Sequence, residues 1–448
     1  MSVTGLGLRM ARLAAVLAIS ILASACATRV AAPAEAVPLF AGAPPGGAQR
    51  VIVIAVANPR AALSTQAGTT PGLYESTPRY AVGAVARKLL DDIGRQHRLT
   101  PLAGWPIPTL GVYCGTFLIS ADMTREEALA ELAKDPRITV AQPLNQFETL
   151  GRDPGQVAPT AAPARADAGT DYNDPYLPLQ HGLRALGVVR AHRCGRGAGV
   201  TVAVIDTGAD TAHVDLRDAR SASANFVDDD AHQFARDFHG TAVAGIIAAT
   251  PGNGLGIVGI APEARLLLLK ACWQNGAGAG AQCNSFTLAQ ALSTAIDRGA
   301  QVINLSLGGP ADDLLGRLVR QAIAKGIVVV GAVPPGEDRR GFPVGIPGVI
   351  AVREGSANVL ADAALTLSGR DILTLAPGGR FDFSSGSSLS AAEISAVAAL
   401  MLQHDPHLSG AAVEKLLRDT ATRSPTGTPD AFEAIAAVDP SCVGPASR

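Results

Sequence analysis

Apolar segments that alternate with helical segments are the feature that most constrains the fold of this chain. Each apolar segment has the length of a β-strand and is nearly continuous in Val, Ile, Leu and Ala. Such strands between helices indicate a parallel sheet that is covered on both faces. We therefore predict a doubly wound parallel sheet of the α/β class, in which ligands bind at the carboxyl ends of the strands. The predicted strands are residues 200–206, 264–272, 300–308, 326–333 and 348–352, and the predicted helices are residues 239–250, 286–299 and 313–326.

The charge balance argues against two classes of partner. The chain has 448 residues, 37 basic and 39 acidic side chains, and a formal net charge of −2. Nucleic acids and anionic membrane surfaces attract strongly basic proteins, so we expect neither as a partner. The length allows two or three domains with a large core. We expect no cofactor.

The first 25 residues resemble a secretory signal peptide. Arg9 and Arg12 precede a short apolar segment, residues 13–23, that is too short for a permanent membrane span. The sequence Leu-Ala-Ser-Ala-Cys, which ends at Cys26, resembles a bacterial lipobox, whose cysteine is lipidated after cleavage. Lipidation at Cys26, plain secretion and an uncleaved anchor remain alternatives. All three place the chain in the bacterial cell envelope or outside the cell.

Residues 49–150 are predicted to form a small α+β unit between two linkers. Residues 26–48 and 151–173 are rich in Ala, Pro and Gly, which indicates a disordered tether and a second linker. Between them the apolar pattern predicts the order strand, helix, strand, helix, strand. Thr124 and Glu127 form a capping-box pattern at the start of the second helix. The predicted elements are residues 50–56, 81–97, 109–120, 124–135 and 138–150.

Five cysteines remain once Cys26 is set aside. Cys272 and Cys283 flank a loop rich in Gly and Ala, and export would place them in an oxidising compartment. We expect a disulfide between them, and two free thiols are the alternative. Metal binding is not expected there, because no His or second cysteine pair lies at ligand spacing. The sequence does not determine the partners of Cys114, Cys194 and Cys442.

Three polar residues stand where the predicted sheet would expose them. Asp206 ends the first strand, in AVIDTG, and His239 opens a helix, in HGTAVAG. Ser388 lies just before a long apolar helix, whose N–H groups and dipole would stabilise an oxyanion. An acid, a base and a nucleophile of this kind can perform acyl transfer. Each alone has an ordinary explanation as a loop anchor, surface residue or cap, so the inference depends on the combination and its order.

The segments around these residues resemble the motifs of subtilisin-like serine proteases. VAVIDTGAD resembles the aspartate motif of the family, HGTAVAGIIAA the histidine motif and GSSLSAA the serine motif. The resemblance implies that Asp206 orients the base, that His239 is the general base and that Ser388 is the nucleophile. It also implies the family's fold and a serine endopeptidase activity on polypeptides.

The resemblance extends over residues 174–438 and leaves residues 439–448 as a C-terminal tail. INLSLGG resembles the family's substrate-binding strand, which implies that Ser306, Leu307 and Gly308 pair with the substrate backbone. The preceding α+β unit resembles the inhibitory propeptide, which implies a zymogen whose tail, around residues 150–168, reaches the active site. An ordinary binding domain that stays attached is the alternative.

Two of the departures from the family pattern bear most directly on catalysis. Aligned without gaps, Pro335 stands where the family has an asparagine that donates to the oxyanion, and the loss of such a donor costs ~10²–10³ in turnover in a subtilisin. Arg339 or Arg340 could donate instead, although a surface role fits both. Glu393 replaces the histidine of the serine motif. We interpret it as structural because His239 is retained.

Two functions from different classes remain open. The first is an active but slow serine endopeptidase, made as an exported zymogen. The second is a pseudoprotease that binds peptides or a partner without turnover. The complete Asp-His-Ser set favours the first, and the missing oxyanion donor favours the second. The acidic segment 227–233 is interpreted as a solvated loop, with a calcium site as the alternative, and no metal site is predicted.

Overall fold

The computed structural model of the chain describes residues 47–58, 79–151, 172–274, 280–336, 340–355 and 364–443. The predicted signal peptide, the lipidation position Cys26 and most of the 151–173 linker lie outside the described residues, as does Arg339. Within the described ranges, no helix combines the length and the apolar character that crossing a bilayer requires.

The N-terminal unit is an antiparallel sheet in the order β2-β3-β1-β4. Alternate residues of β1 face opposite sides: Ile52 and Ile54 pack on the unit's own helices, and Val51 and Val53 pack on two helices of the following region. The sheet is therefore buried on both faces. The elements of the N-terminal unit are β1 (Val51–Ala57), α1 (Arg79–Gln96), β2 (Thr100–Ile107), β3 (Val112–Leu118), α2 (Arg125–Leu132), β4 (Ile138–Pro143) and β5 (Gln146–Thr149).

Two strands of this unit differ from the sequence prediction. The sequence prediction contains no strand at the position of β2, because Pro101 and Pro106 argue against a strand there. β2 lies at the edge of the sheet, where a missing N–H is tolerated. The single closing strand predicted for residues 138–150 is wrong, since β4 ends at Pro143 and β5 joins a different sheet.

The following region contains the alternating strands and helices on which the fold prediction rests. Most predicted bounds shift by one or two residues. The predicted strands 264–272 and 300–308 are each wrong as single strands, because they divide after Lys270 and Leu305 and their second parts join a different sheet. The elements are α3 (His181–Ala185), α4 (Val188–Ala191), β6 (Thr201–Asp206), β7 (Ser221–Asn225), α5 (Ala231–Arg236), α6 (Phe238–Ala248), β8 (Arg265–Lys270), β9 (Cys272–Gln274), β10 (Ala281–Asn284), α7 (Ser285–Asp297), β11 (Val302–Leu305), β12 (Leu307–Gly308), α8 (Asp313–Ala324), β13 (Val328–Ala332), β14 (Ile350–Glu354), β15 (Leu365–Leu367), β16 (Ile372–Ala376), β17 (Arg380–Ser384), α9 (Ser387–His404), α10 (Gly410–Arg423) and α11 (Ala431–Val438).

A seven-stranded parallel sheet forms the centre of this region, in the order β15-β14-β13-β11-β6-β8-β7. Val202 and Val204 of β6 belong to the core that contains α6 and α9. Ala203 and Ile205 belong to the opposite core, with α7 and α8. The sheet is thus covered on both faces, which confirms the predicted doubly wound α/β class.

The strand order reverses beside β6. Strands β7 and β8 follow on one side of it, whereas β11, β13 and the later strands lie on the other. In open α/β sheets such a reversal creates a crevice at the carboxyl ends of the central strands. Asp206 is the last residue of β6, and Ser306 directly follows β11, so both lie at this crevice.

A second sheet joins the two regions. Its order is β12-β5-β10-β9, and all its pairs are antiparallel. β5 comes from the N-terminal unit and lies between β12 and β10 of the large region. Cys272 and Cys283 face each other across β9 and β10 and are joined by a disulfide.

Candidate active site

Asp206 and His239 form a buried pair at the carboxyl end of β6. His239 Nδ1 lies 2.7 Å from Asp206 Oδ1 and 2.9 Å from Oδ2. Their side chains are 6% and 1% exposed, so water does not compete for this contact. A carboxylate in this position holds the imidazole in one orientation and stabilises it when it is protonated.

Close packing between β6 and α6 positions this pair. A Cβ at Gly240 would lie 2.3 Å from the carbonyl oxygen of Gly208, so the helix could not approach the strand end if residue 240 had a side chain. The Gly240 N–H donates to Thr207 Oγ1 at 3.0 Å. Close packing against Gly208 therefore explains why the residue next to His239 is a glycine.

Beneath the pair lies a buried ion pair that the sequence prediction does not include. Lys270 Nζ donates to Asp237 Oδ2, and both side chains are 0% exposed. Asp237 also accepts from the Gly208 N–H at 2.7 Å and stands at the N-terminus of α6, two residues before His239. Lys270 ends β8 directly beside Asp206. Burial raises the pKa of Asp237, and the Lys270 ammonium opposes that shift.

We expect Lys270→Met to destabilise the fold by about 3–5 kcal/mol, because it leaves the buried Asp237 carboxylate without its counter-ion. The double variant Lys270→Met/Asp237→Asn is expected to recover part of the loss, since no buried charge is then left unpaired. Urea unfolding of both variants in the Ser388→Ala background, which prevents self-digestion, measures the effect. A cost below about 1 kcal/mol for Lys270→Met would show that the ion pair does not hold the strand and helix ends together.

Ser388 is the second residue of α9, and the helix begins after Gly386. Gly386 has φ 145°, and a Cβ there would lie 2.3 Å from the carbonyl oxygen of Leu150. The N-terminus of α9 therefore approaches the chain at Leu150 closely. The Ser388 hydroxyl donates to the carbonyl of Ser306 at 3.0 Å.

A buried polar network connects α9 to the end of β11. Ser306 Oγ donates to the Ser388 carbonyl at 2.9 Å, and Asn304 Nδ2 donates to Ser306 Oγ at 2.9 Å. Ser395, two helical turns beyond Ser388, donates to Asn304 Oδ1 at 3.0 Å. No role for Asn304 or Ser395 is predicted from the sequence. A polar Asn within an apolar strand indicates a buried hydrogen-bond partner and could have identified this network.

β5 of the same chain lies along the substrate-binding strand that the resemblance implies. Thr149 pairs with Leu307 and Glu148 pairs with Gly308 in an antiparallel ladder. The Leu150 N–H donates to the Ser306 carbonyl at 3.2 Å. An extended segment that adds a strand to a sheet edge is a recurring mode of peptide recognition.

The segment that follows β5 enters the space between His239 and Ser388. A Cβ built on Gly151 would lie 2.7 Å from His239 Nε2 and 3.9 Å from Ser388 Cβ. The structure therefore brings Asp206, His239 and Ser388 to one place and puts the Leu150–Gly151 peptide bond there as well.

Pro335 lies in an exposed turn three residues after the end of β13. Its neighbour Pro334 packs beside Gly308, where a Cβ would lie 2.9 Å from Pro334 Cγ and 3.2 Å from Leu150 Cδ1. Pro334 and Gly308 therefore flank the Leu150 side chain. Arg340 is exposed.

Glu393 lies five residues beyond Ser388 on α9 and is buried, mostly among apolar side chains, at a cavity that Gln180 and His181 also line. A Cβ at Gly182 would lie 2.2 Å from Glu393 Oε1, and the cavity has a volume of about 20 Å³, enough for one water. Burial raises the pKa of Glu393 to about 8. The group is therefore protonated at pH 7 and is unsuited to act as a carboxylate base.

We expect Glu393→Gln to remove a pH dependence of stability. The carboxyl ionises near pH 4.5 when exposed and near pH 8 in the folded chain, so the folded state binds the extra proton between these values. The free energy of unfolding therefore falls as pH rises through this window, by a few kcal/mol at most, and the neutral amide has no such slope. Urea unfolding of Ser388→Ala, with and without Glu393→Gln, from about pH 5 to pH 8 checks this. Parallel profiles would contradict it.

The acidic segment 227–233 is used for local structure. Asp228 accepts from Asn225 Nδ2 at 2.8 Å, and Asp230 accepts from the N–H groups of His232 and Gln233 at the start of α5. These contacts account for two of its carboxylates by ordinary loop and helix capping.

Asp174 and Asp215 are two buried carboxylates on either side of the turn that contains Gly252 and Asn253. The Gly252 N–H donates to Asp174 Oδ2 at 2.7 Å, and Asn253 Nδ2 donates to Asp215 Oδ1 at 2.7 Å. Asp174 Oδ1 has no hydrogen-bond partner among the described residues. Burial raises the pKa of both carboxyls, and the Asp174 charge adds to the shift of Asp215. Buried oxygen atoms of this kind are suited to Ca²⁺.

We expect millimolar Ca²⁺ to raise the melting temperature of the Ser388→Ala chain by several degrees, because an ion bound at Asp174 Oδ1 would offset the repulsion between the Asp174 and Asp215 carboxylates. Asp215→Asn is expected to remove most of this increase. Mg²⁺ serves as the control, since it prefers a smaller octahedral site. Equal melting temperatures in Ca²⁺ and in a chelator would rule out a stabilising ion.

A strand-end aspartate, a helical histidine and a serine at a helix N-terminus, gathered at the reversal point of a parallel sheet, define a serine-hydrolase type of site. The Subtilase family model matches residues 197–434, which include all three side chains. Over 227 residues the chain is 37% identical to an intracellular serine protease of Paenibacillus polymyxa, covering 46% of this chain and 68% of that protein. Over 241 residues it is 32% identical to subtilisin DY of Bacillus licheniformis, covering 51% and 85%.

A solved structure shares the fold. Fervidolysin from Fervidobacterium pennivorans, described as a keratinolytic enzyme related to subtilisin, superposes with a TM-score of 0.63 at 21% identity. The match covers 86% of this chain and 60% of fervidolysin. This likeness shows the subtilisin-like fold. The family model and the sequence matches show that the chain belongs to the subtilase family, whose matched members are serine proteases.

Proposed function

We propose that this chain is a serine endopeptidase that is made as a self-inhibited precursor and exported to the cell envelope. The observation that carries the proposal is the position of Leu150 and Gly151. A Cβ on Gly151 would lie 2.7 Å from His239 Nε2 and 3.9 Å from Ser388 Cβ, and a Cβ on Gly386 would lie 2.3 Å from the Leu150 carbonyl oxygen. The chain's own β5 occupies the strand position that a polypeptide substrate would take. A binding domain without a catalytic purpose has no need to present a peptide bond at such a site.

The proposed reaction is acyl transfer followed by hydrolysis. The Ser388 hydroxyl turns from the Ser306 carbonyl to His239 Nε2, gives up its proton to the imidazole and attacks the carbonyl carbon of Leu150. Asp206 stabilises the imidazolium that forms. His239 then protonates the nitrogen of Gly151, which leaves as an amine, and water hydrolyses the ester between Leu150 and Ser388 with His239 as the base. The products are a carboxylate at Leu150 and a new N-terminus at Gly151.

Contacts away from the bond would keep the N-terminal unit bound after cleavage. Asp312 Oδ2 accepts from Gln142 Nε2 at 2.7 Å and from Asn145 Nδ2 at 3.0 Å, and the Leu314 N–H donates to Gln142 Oε1 at 3.0 Å. Gln142 thus helps to cap α8, which Asp312 begins. These bonds and the β5 ladder support an inhibitory propeptide over an unrelated binding domain.

The same segment suggests what the cleft accepts. Leu150 lies beside Gly308 and Pro334, and Phe147 is buried with its ring centroid 5.4 Å from that of Phe342. Glu148 between them is exposed. We therefore propose a preference for polypeptides with an aliphatic residue before the cleaved bond and an aromatic residue three positions earlier.

Pro335 favours a second candidate, a pseudoprotease that binds peptides without cleaving them. Because neither the backbone nor the side chain of proline donates a hydrogen bond, the alignment leaves the oxyanion with the backbone N–H of Ser388 and the α9 dipole. These two groups would support slow turnover, enough for one intramolecular cleavage.

A fluorophosphonate probe separates the two candidates. The protease proposal requires covalent labelling of the purified chain at Ser388 and none in Ser388→Ala. Because the N-terminal unit would block the cleft, labelling is measured before and after its proteolytic removal. Absence of labelling in both states, or equal labelling of Ser388→Ala, leaves the pseudoprotease.

The envelope location rests on the first 26 residues of the sequence. Replacing Cys26 by Ala is expected to move the protein from the membrane fraction to the soluble fraction, because a lipid chain would no longer be attached. An unchanged distribution would favour an uncleaved signal anchor, and a wild-type protein that is already soluble would favour plain secretion.

A further inference from the structure

Two cysteines with no assigned role meet where the start and the end of the large region come together. Cys194 follows α4, and Cys442 lies in a short turn after α11. The Cys194 thiol donates to the carbonyl oxygen of Cys442 at 3.8 Å. Burial raises the pKa of Cys194, and the nearby Cys442 thiol adds to that shift. Both are half-buried against the core that contains α9.

The two segments are already held in place by other contacts. The Ala431 N–H, at the start of α11, donates to the Leu186 carbonyl at 2.8 Å. Arg190 of α4 forms an ion pair with Asp430, and its guanidinium lies 5.3 Å from the ring centroid of Phe432. The segments that carry Cys194 and Cys442 are therefore held next to each other before any bond forms between the thiols.

We propose that Cys194 and Cys442 form a second disulfide, which fastens the C-terminal turn to the start of the large region. The two thiols lose two protons and two electrons as the S–S bond forms. A disulfide oxidant, such as oxidised glutathione or a dithiol-disulfide carrier protein, accepts both and is reduced to two thiols. The chain already holds the Cys272–Cys283 disulfide, so the same conditions would serve both bonds.

A metal site is the competing use of these side chains. Ligand atoms of His404, Asp439 and Cys442 lie within 4.8 Å of one another, and His404 Nε2 has no hydrogen-bond partner among the described residues. Asp439 is already committed, however, because it accepts from His404 Nδ1 at 3.0 Å, from the Ser441 N–H at 3.0 Å and from Ser441 Oγ at 2.6 Å. A disulfide leaves these bonds in place, whereas a cation bound by Asp439 would compete with them.

The second bond also accounts for the odd number of cysteines. With Cys194 and Cys442 paired, only Cys114 remains among the cysteines that the structure describes, and it is 0% exposed in β3 of the N-terminal unit. Burial raises the pKa of the Cys114 thiol, which keeps it protonated and unreactive.

The proposed bond joins two residues that flank all seven strands of the central sheet in the sequence. β6 to β15, α9 and α11 all lie between Cys194 and Cys442 in sequence. The bond would therefore restrict the unfolded chain strongly and protect the C-terminal end from fraying. This inference does not depend on catalytic activity.

Peptide mapping tests the proposal directly. The Ser388→Ala chain is folded with glutathione disulfide, its free thiols are alkylated, and it is digested with trypsin without reduction. Cleavage after Arg193, Arg196 and Arg423 would leave residues 194–196 joined to the peptide that begins at Ser424. The peptide that contains both Cys272 and Cys283 is the internal control for oxidation. If Cys194 and Cys442 are alkylated in a sample in which Cys272 and Cys283 are oxidised, the proposal is wrong. It is also wrong if the two thiols resist alkylation only because zinc is bound, so that a chelator makes them reactive.

Matched variants test its effect on stability. Cys194→Ser and Cys442→Ser are each expected to lower the melting temperature by several degrees, and the double variant by no more than either single variant, because all three lose the same bond. Cys114→Ser in the N-terminal unit is the control for loss of a buried thiol. Additive losses in the double variant would contradict a shared bond.

Discussion

The purified chain is expected to appear as two fragments, the second beginning at Gly151, whereas Ser388→Ala is expected to stay intact. The reason is the position of the Leu150–Gly151 bond between Ser388 and His239, which makes the cleavage intramolecular and removes the need for substrate capture. Loss of the nucleophile should slow this cleavage by more than about 10³-fold. N-terminal sequencing and intact-mass measurement of both proteins identify the cut.

Two further variants make this test specific. Ser390→Ala removes the same atom from a serine two positions along α9 whose hydroxyl has no partner among the described residues, and it should cleave normally. Leu150→Asp should cleave poorly, because a charged side chain would be placed beside Gly308 and Pro334. Equal processing of wild type and Ser388→Ala would show that another protease makes the cut. A serine-dependent cut elsewhere, within residues 152–168, would show that β5 does not present the processed bond.

The central sheet could be predicted from the sequence because its signal is local and strong. Each of β6, β11 and β13 is an apolar segment between helices, and strands buried on both faces need that composition. The positions of Asp206 and His239 at the edge of the sheet could be predicted for the same reason. A residue that ends a parallel strand, or begins the next helix, lies at the carboxyl edge of the sheet whatever the loop between them does.

The features that were missed depend on contacts between distant parts of the chain. β5 looks like the end of β4 in sequence, and its pairing with β12 and β10 is decided by residues far away in the chain. Lys270 ends an apolar strand without any local sign of its partner Asp237, because the ion pair forms only when β8 and the start of α6 meet. The same holds for Cys194 and Cys442. Local patterns predict elements well, but they contain no information about such pairings.

If the proposed endopeptidase function holds, Pro335→Asn is expected to raise the turnover number of the cleaved chain by about 10²-fold or more. The asparagine amide would donate to the oxyanion that develops from the carbonyl before the cleaved bond. Loss of such a donor costs ~10²–10³ in turnover, a magnitude measured on a subtilisin. Pro335 lies in an exposed turn after β13, so the side chain can be exchanged without disturbing the core. The Michaelis constant should change little, because this hydrogen bond strengthens only in the transition state.

Pro335→Asp is the matched control, since aspartate has the shape of asparagine but accepts rather than donates. Pro335→Ala tests the effect of removing the proline ring. All four proteins would be compared on a fluorogenic peptide that carries Phe-Glu-Thr-Leu, the sequence of residues 147–150, before the cleaved bond. A gain confined to the asparagine variant means that the oxyanion donor is the missing part of the site. A similar gain in all three variants would assign the low rate to the rigidity of the turn. No gain in any of them would mean that the oxyanion is already stabilised by groups other than residue 335, of which the N-terminus of α9 is the nearest candidate, since its Gly386 lies against the Leu150 carbonyl.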